Sequence, residues 1–213
     1  MMMSRKYDAT GPEAEFQPGS RGRVLRNLLG ITRVREMNVA ETRALQTAMD
    51  RFVRRFDEQH RFTDADVQDM HRTWLGGIYE WAGEYRSVNI SKEGFPFAAA
   101  ARVPAPMQDF QKRVLSRRTP CRFQRREDVV EALAEAHVEL VLIHPFRDGN
   151  GRIARALSIL MVLQAGLPLL DFSPIAGKRR TAYFAAIQAG MDRNYGPMAG
   201  IFEELIERSL VWP

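Results

Sequence analysis

Cysteine is nearly missing from this chain of 213 residues, where Cys121 stands alone. A single thiol excludes a disulfide framework and any cysteine-built zinc site. Histidine is also scarce, and His60, His71, His137 and His144 are too scattered for a metal box. Lysine is confined to positions 6, 92, 112 and 178, so arginine supplies nearly all of the 31 basic side chains. Long apolar runs are lacking as well. The longest, Ala156 to Leu170, is broken by Ser158, Gln164 and Gly166 and is too short to span a bilayer. The opening residues Met1-Met2-Met3-Ser4-Arg5-Lys6 lead into polar sequence rather than the apolar core of a secretory leader. A soluble, cytoplasmic protein is the expectation.

What is present describes a globular chain. Hydrophobic residues make up 45% and charged residues 27%, a balance that excludes a disordered polymer and suffices for one sizeable domain. The net charge of +5 is compatible with a nucleotide, nucleic acid or an acidic partner. Yet the basic residues are interleaved with acids, as in Arg125-Arg126-Glu127-Asp128, and there is neither a basic tail nor an RNA-binding aromatic signature. Charge therefore gives no reason to expect direct nucleic-acid binding.

Residues 1–36 are rich in Gly, Pro and Arg and read as an irregular arm, with one short helix expected at Val24 to Leu29; residues 37–213 read as a single domain. Val39 to Phe56 carries Leu45, Met49, Phe52, Val53 and Phe56 at helical spacing. Thr63 to Asp66 supplies a capped start for a helix bearing Val67, Met70, Trp74, Leu75 and Ile78. Tyr85 to Phe97 alternates around Gly94 and Pro96 and is the one stretch that reads as a strand pair. Helices are further expected from Pro104 or Pro106 to Val114, from Glu127 to Ile143, from Arg152 to Ala165, from Lys178 to Gly190 and from Met198 to Leu210. The fold class is mainly α, a helical bundle with one short β-hairpin.

Chemistry is concentrated where two of these helices meet, in His144-Pro145-Phe146-Arg147-Asp148-Gly149-Asn150-Gly151-Arg152-Ile153-Ala154-Arg155. Gly149 and Gly151 permit backbone conformations closed to other residues and a close approach of ligand. They open directly into a helix, whose free amides and positive dipole end attract an anion. Arg152 and Arg155, three apart, can address the same anion, and two guanidiniums with a nest of amides suit a polyphosphate. Arginines at a helix N-terminus oppose its dipole, which itself argues for a compensating anion. Asp148 is placed to share a divalent ion such as Mg²⁺ with that phosphate. His144 is the natural base for an attacking hydroxyl. Phe146 is assigned to the core, and the Gly-Lys-Ser/Thr ending of a Walker loop is absent.

The segment resembles the Fic domain motif, His-x-Phe-x-Asp/Glu-Gly-Asn-Gly-Arg-x-x-Arg, with every specified position present from His144 to Arg155. Val88 to Phe97 is similar to the family's flap hairpin, Gly19 to Ile31 to the arm preceding many bacterial Fic cores, and Tyr183 to Pro197 to the helix beside the nucleotide base. The resemblance implies the Fic fold and protein adenylyltransferase activity: AMP passes from ATP to a Tyr, Ser or Thr hydroxyl of a target protein and pyrophosphate is released. By the family's pattern His144 is the general base and Asp148 holds Mg²⁺. Gly149, Asn150 and Gly151 bind the α- and β-phosphates, Arg152 the β-phosphate and Arg155 the γ-phosphate. Tyr183 stands near adenine, with a core tyrosine as the competing assignment. In the flap, Ile90, Lys92 and Phe97 would frame a target segment bound by strand addition. His137, Trp74 and Trp81 are read as core residues.

Many Fic proteins carry an inhibitory helix marked Ser/Thr-x-x-x-Glu-Gly/Asn. Here only Thr32-Arg33-Val34-Arg35-Glu36 meets the first five positions, and Met37 follows. The expectation is no inhibition in cis and a separate small antitoxin supplying the glutamate, as in the toxin–antitoxin branch whose targets include type II topoisomerases. Two other readings stay open from sequence: a transferase using another nucleotide or phosphate-bearing donor, and a non-catalytic nucleotide-binding module. The Lys of Doc-type kinases is replaced here by Gly151, which disfavours that variant.

Overall fold

The structure is a computed structural model that describes residues 8–9, 12–92, 95–175 and 179–211. After a two-residue strand β1 (Asp8–Ala9) the chain forms α1 (Val34–Arg55) and α2 (Asp64–Leu75), then strands β2 (Ile90–Lys92) and β3 (Phe95–Pro96). Helix α3 (Pro104–Phe110) continues through a π-helical turn, Gln111–Leu115, into α4 (Ser116–Arg118). Next come α5 (Arg126–Ile143), α6 (Asn150–Gln164), α7 (Arg180–Ala189) and α8 (Gly196–Val211).

Helices α5 and α6 pack on each other at the centre, with α8 and α7 against α5, and α1 and α2 paired and touching α6. Sequence periodicity assigns α5 one inner side, but Ala132, Ala134, Ala136 and Val138 are buried along with Val129, Val130, Leu133 and Leu140. A helix covered nearly all round has no solvent stripe to reveal which face matters. Helix α2 starts as expected: Thr63 Oγ1 accepts from the Asp66 amide at 3.1 Å, and Asp66 Oδ2 accepts from the Thr63 amide at 2.9 Å. Phe146 is fully buried, as expected.

One expectation needs correction. No helix forms at Val24–Leu29. Instead Gln17 N donates to Val24 O at 2.8 Å and Arg26 N to Glu15 O at 3.0 Å, with a bridge between Phe16 and Leu25. The turn between them holds Gly19, Arg21 and Gly22 at positive φ, a geometry that a right-handed helix cannot continue. The expected hairpin is present as β2 and β3, and β1 joins it in a three-stranded antiparallel sheet of order β1-β2-β3, with Ala9 opposite Ile90 and Ser91 opposite Pro96. The arm thus adds a strand to the hairpin, and two residues are too few to show periodicity. Glu93 and Gly94 of the expected turn, and the expected start of α7 at Lys178, lie outside the described residues. No helix among the described residues is long and apolar enough to cross a membrane.

Candidate active site

The loop from α5 to α6 is built for display. Helix α5 ends at His144, whose amide donates to Leu140 O at 3.2 Å and whose backbone is left-handed (φ 53°, ψ 58°). A non-glycine residue pays about 1–2 kcal/mol for that conformation, so the neighbouring structure must hold it. Arg86 does so. Its Nε donates to His144 O at 2.8 Å and its own amide donates to Pro145 O at 2.9 Å. The same guanidinium donates to Val88 O at 2.9 Å and Ala98 O at 2.5 Å, one carbonyl on each side of the hairpin. One buried arginine therefore ties the hairpin to the α5–α6 loop.

The His144 ring is buried and stacked on Phe97, with centroids 3.8 Å apart. Its Nδ1 lies 2.9 Å from Val141 O. A carbonyl only accepts, so Nδ1 carries the proton and Nε2 keeps its lone pair. Burial pushes the ring down to about 3, partly opposed by the Val141 carbonyl and Asp148. The ring is neutral and oriented at physiological pH.

Beyond it, Asp148 Oδ1 accepts from the Gly149 amide at 2.6 Å. Asp148 O accepts from His71 Nε2 at 3.1 Å, while His71 Nδ1 accepts from the Gly83 amide at 2.8 Å. The His71 ring stacks on Phe146 at 3.9 Å, and burial lowers its pKa to about 4. Gly149 sits at φ 86°, and a Cβ there would meet Trp74 Cζ3 at 2.8 Å, so glycine is required. The Asn150 side chain does not line the cavity. Its Oδ1 accepts from Phe146 N and its Nδ2 donates to Phe146 O, both at 2.8 Å, which leaves the backbone to face a ligand. The first amides of α6 have no intrahelical acceptor and Gly149 offers no side-chain cap, so the helix start is an anion site in waiting.

The two arginines are treated differently. Arg152 Nη1 donates to Glu41 Oε2 at 2.5 Å, Nη2 lies 3.6 Å from Asp148 Oδ1, and the guanidinium covers the Trp74 ring at 4.5 Å. Burial would lower its pKa, but Asp148 and Glu41 outweigh it and hold it raised. The compensating anion inferred from sequence is thus, for Arg152, supplied by the protein. Glu41 also accepts from the Tyr79 hydroxyl at 2.6 Å, and its carbonyl accepts from Trp74 Nε1 at 2.9 Å. Arg155 makes no ion pair among the described residues. Burial lowers its pKa, and the Tyr183 hydroxyl facing it offsets part of that.

His144, Asp148, Gly149, Gly151 and both arginines open on one cavity of about 1160 Å³, which Tyr183, Lys92 and Phe97 also line. Ile90 does not; its side chain is buried under the hairpin while its carbonyl accepts from Phe97 N at 3.2 Å. Lys92 reaches the other wall, its Nζ 4.1 Å from the Phe184 ring centroid. No cluster of three or more metal-ligating side chains exists among the described residues. One carboxylate beside an anion site is the donor set expected when phosphate and water complete the shell of Mg²⁺, so Asp148 fits that ion.

Arg86, His71, Tyr79 and Glu41 were not found by sequence reasoning. Glu41 left a signal: it shares the buried face of α1 with Met37, Ala48 and Phe52, and a charge on an apolar stripe needs a partner. Trp74 and His137 are buried as expected, but both also serve the site through hydrogen bonds.

Comparison with known proteins agrees with this geometry. A Fic/DOC family model matches residues 61–162, which include the whole loop. The chain is 32% identical over 131 residues to protein adenylyltransferase fic-1 of Caenorhabditis briggsae, covering 61% of this chain and 24% of that protein. It is 26% identical over 212 residues to protein adenylyltransferase VbhT of Bartonella schoenbuchensis, covering 97% of this chain and 40% of that one. The chain therefore spans less than half the length of these curated relatives. Among solved structures, the BepC protein of Bartonella tribocorum with bound AMPPNP superposes with a TM-score of 0.69 at 25% identity, over 85% of this chain and 91% of that one. The α5–α6 loop falls inside the matched stretch, and residues 61–162 of this chain are similar to the Fic/DOC family.

Proposed function

We propose that this chain is a protein adenylyltransferase that transfers AMP from ATP to a Tyr, Ser or Thr hydroxyl of a target protein. The observation that carries the proposal is the His144 ring, oriented by the Val141 carbonyl, in one cavity with the α6 N-terminus and two arginines. The relatives' names and the AMPPNP held by BepC support it.

The target oxygen attacks the α-phosphorus in line. A new O–P bond forms, the bond to the β-bridging oxygen breaks, and pyrophosphate leaves with that electron pair. The hydroxyl proton passes to His144 Nε2. The amides of Asn150 and Gly151 face the α- and β-phosphates, Arg152 the β- and Arg155 the γ-phosphate. Mg²⁺ held by Asp148 would neutralise charge on the phosphates. Positioning and charge neutralisation supply most of the acceleration. Lys92, Phe97 and the main chain at Ile90 present the target segment. For regulation we infer an antitoxin acting in trans: Glu36 pairs with Arg33 at 3.1 Å on the exposed start of α1 rather than with Arg155. A type II topoisomerase subunit remains the proposed target class.

The test is labelled ATP with Mg²⁺, given to the purified chain and to a lysate, wild type against His144→Ala. Transfer of a label with the mass of an adenylyl group is expected, reduced by about 10²- to 10⁴-fold in the variant. No transfer by the wild type, or full transfer by the variant, refutes the reading.

A further inference from the structure

The hydrogen bonds behind Arg155 run in one direction, and that direction can be deduced. Ser158 Oγ donates its only proton to Ala154 O at 2.9 Å. Toward His137 Nδ1, 3.1 Å away, the same oxygen can then only accept, so Nδ1 carries the ring proton. The Ala154 carbonyl, which also faces this ring, is acceptor-only and demands the same tautomer. His137 is buried and its pKa is pushed down to about 3 by burial and by Arg155, so the ring is neutral and Nε2 is an acceptor. The group 2.7 Å from Nε2 is the Tyr183 hydroxyl, which must donate there. Its oxygen lone pairs are left for Arg155, which lines the same cavity and is the cation that faces the hydroxyl among the described residues.

We propose that Tyr183, polarised by His137 and Ser158, is a positioning residue that aims Arg155, and that its hydroxyl thereby makes the site distinguish nucleoside triphosphates from diphosphates. The inference rests on the reading of Arg155 as the γ-phosphate ligand. It changes the role given to Tyr183, whose polar end is committed to His137 and Arg155 rather than to adenine. A phenol suits the task for an electrostatic reason. A carboxylate would orient a guanidinium and cancel its charge, as Glu41 does for Arg152. A neutral oxygen fixes the fork and leaves the full charge for the incoming phosphate.

The experiment measures binding of AMPPNP and of ADP, each with Mg²⁺, by calorimetry on the whole chain. Tyr183→Phe removes one oxygen, and the double variant Tyr183→Phe with His137→Phe also removes the imidazole that would be left unpaired. The expected result is a loss of about tenfold in AMPPNP affinity, the size of one hydrogen bond to a charged group, with ADP affinity changed less than about twofold. Equal losses for both nucleotides, or no loss for AMPPNP, overturns the proposal, because a packing defect would not tell the two ligands apart. A wild type that binds neither nucleotide refutes the reading of the pocket itself. A wild type that binds both equally refutes the assignment at Arg155, and this proposal with it, and leaves the reading of the pocket standing.

Discussion

Arg86 offers the most direct test of how this site is held together. Its guanidinium donates to three carbonyls, His144 O, Val88 O and Ala98 O, at 2.8, 2.9 and 2.5 Å, and the residue is 2% exposed. In Arg86→Met the stem still packs, but all three acceptors lose a charged donor. An abandoned buried acceptor costs about 1–3 kcal/mol. Against that, burial lowers the pKa of Arg86, so the variant also escapes the cost of keeping a charge out of water. The balance expected is a loss of about 3–5 kcal/mol, in the range for breaking a buried charged network. Arg86→Lys should fall between, since one ammonium cannot span three carbonyls that lie on different strands of chain. Urea denaturation gives the stability, and hydrogen exchange at the Phe97 amide, which donates to Ile90 O, reports the flap. Faster exchange at Phe97 should accompany the loss, because the same side chain binds both flanks of the hairpin. A variant that loses less than about 0.5 kcal/mol, the range of an ordinary surface change, with Phe97 exchange unchanged, refutes the clasp.

Three further outcomes follow from the same geometry. Gly149→Ala would force a Cβ to 2.8 Å from Trp74 Cζ3 and 3.2 Å from His71 Nε2 at φ 86°; about 2–4 kcal/mol of stability and most ADP binding should be lost, and a melting temperature equal to wild type would contradict this. His71, His137 and His144 are held below the usual 6.5, at about 4, 3 and 3, so the unfolded chain takes up protons that the folded one refuses. Their contribution is complete above pH 6.5 and drains as pH falls toward 4, by about 1.4 kcal/mol each between pH 7.5 and 5.5; urea midpoints flat across that window would refute it. Glu41→Gln removes the anion beside Arg152 and the charged acceptor of Tyr79. Stability should drop by about 1–3 kcal/mol while calorimetry shows ADP bound more tightly, since Arg152 is no longer neutralised; weaker binding with unchanged stability would refute the pairing.

The legible part of this site was the part written in consecutive residues. The Asp148-Gly149-Asn150-Gly151 turn and the arginines at the head of α6 act on one another through local geometry, so spacing alone announced an anion site. The helices were legible for the same reason, through stripes and through the Thr63 cap. What remained hidden joins distant positions: Glu41 to Arg152 across 111 residues, His71 to Asp148 across 77 and Arg86 to His144 across 58. The side chain of Asn150 has a structural use as well: at 1% exposure it pins the Phe146 backbone, which leaves the main chain of Asn150 for any ligand. The expected helix at Val24–Leu29 failed because tertiary bonds, such as Leu28 N to Ile78 O at 2.8 Å, outcompete local preference in the arm.

The low basicity of His144 appears at odds with its role as a base, and the charges around the ring resolve the conflict. Burial is the largest cause of its depressed pKa, and Arg86 and Lys92 lower it further, whereas Asp148 raises it. Arg86 and Lys92 thus disfavour a proton on the ring, and Asp148 favours one. In the proposed reaction a triphosphate on the α6 amides would tip this balance toward the proton, because it would bring several negative charges beside the ring. The same change would stabilise the imidazolium as a target hydroxyl gave up its proton, so the proposed base would gain strength as the electrophile arrives. Arg152, already paired with Glu41, would change little in this exchange, while Arg155, which makes no ion pair among the described residues, would gain an anionic partner. On this proposal basicity at His144 and order at Arg155 would be two consequences of one binding event, which would couple the proton acceptor to the presence of the leaving group.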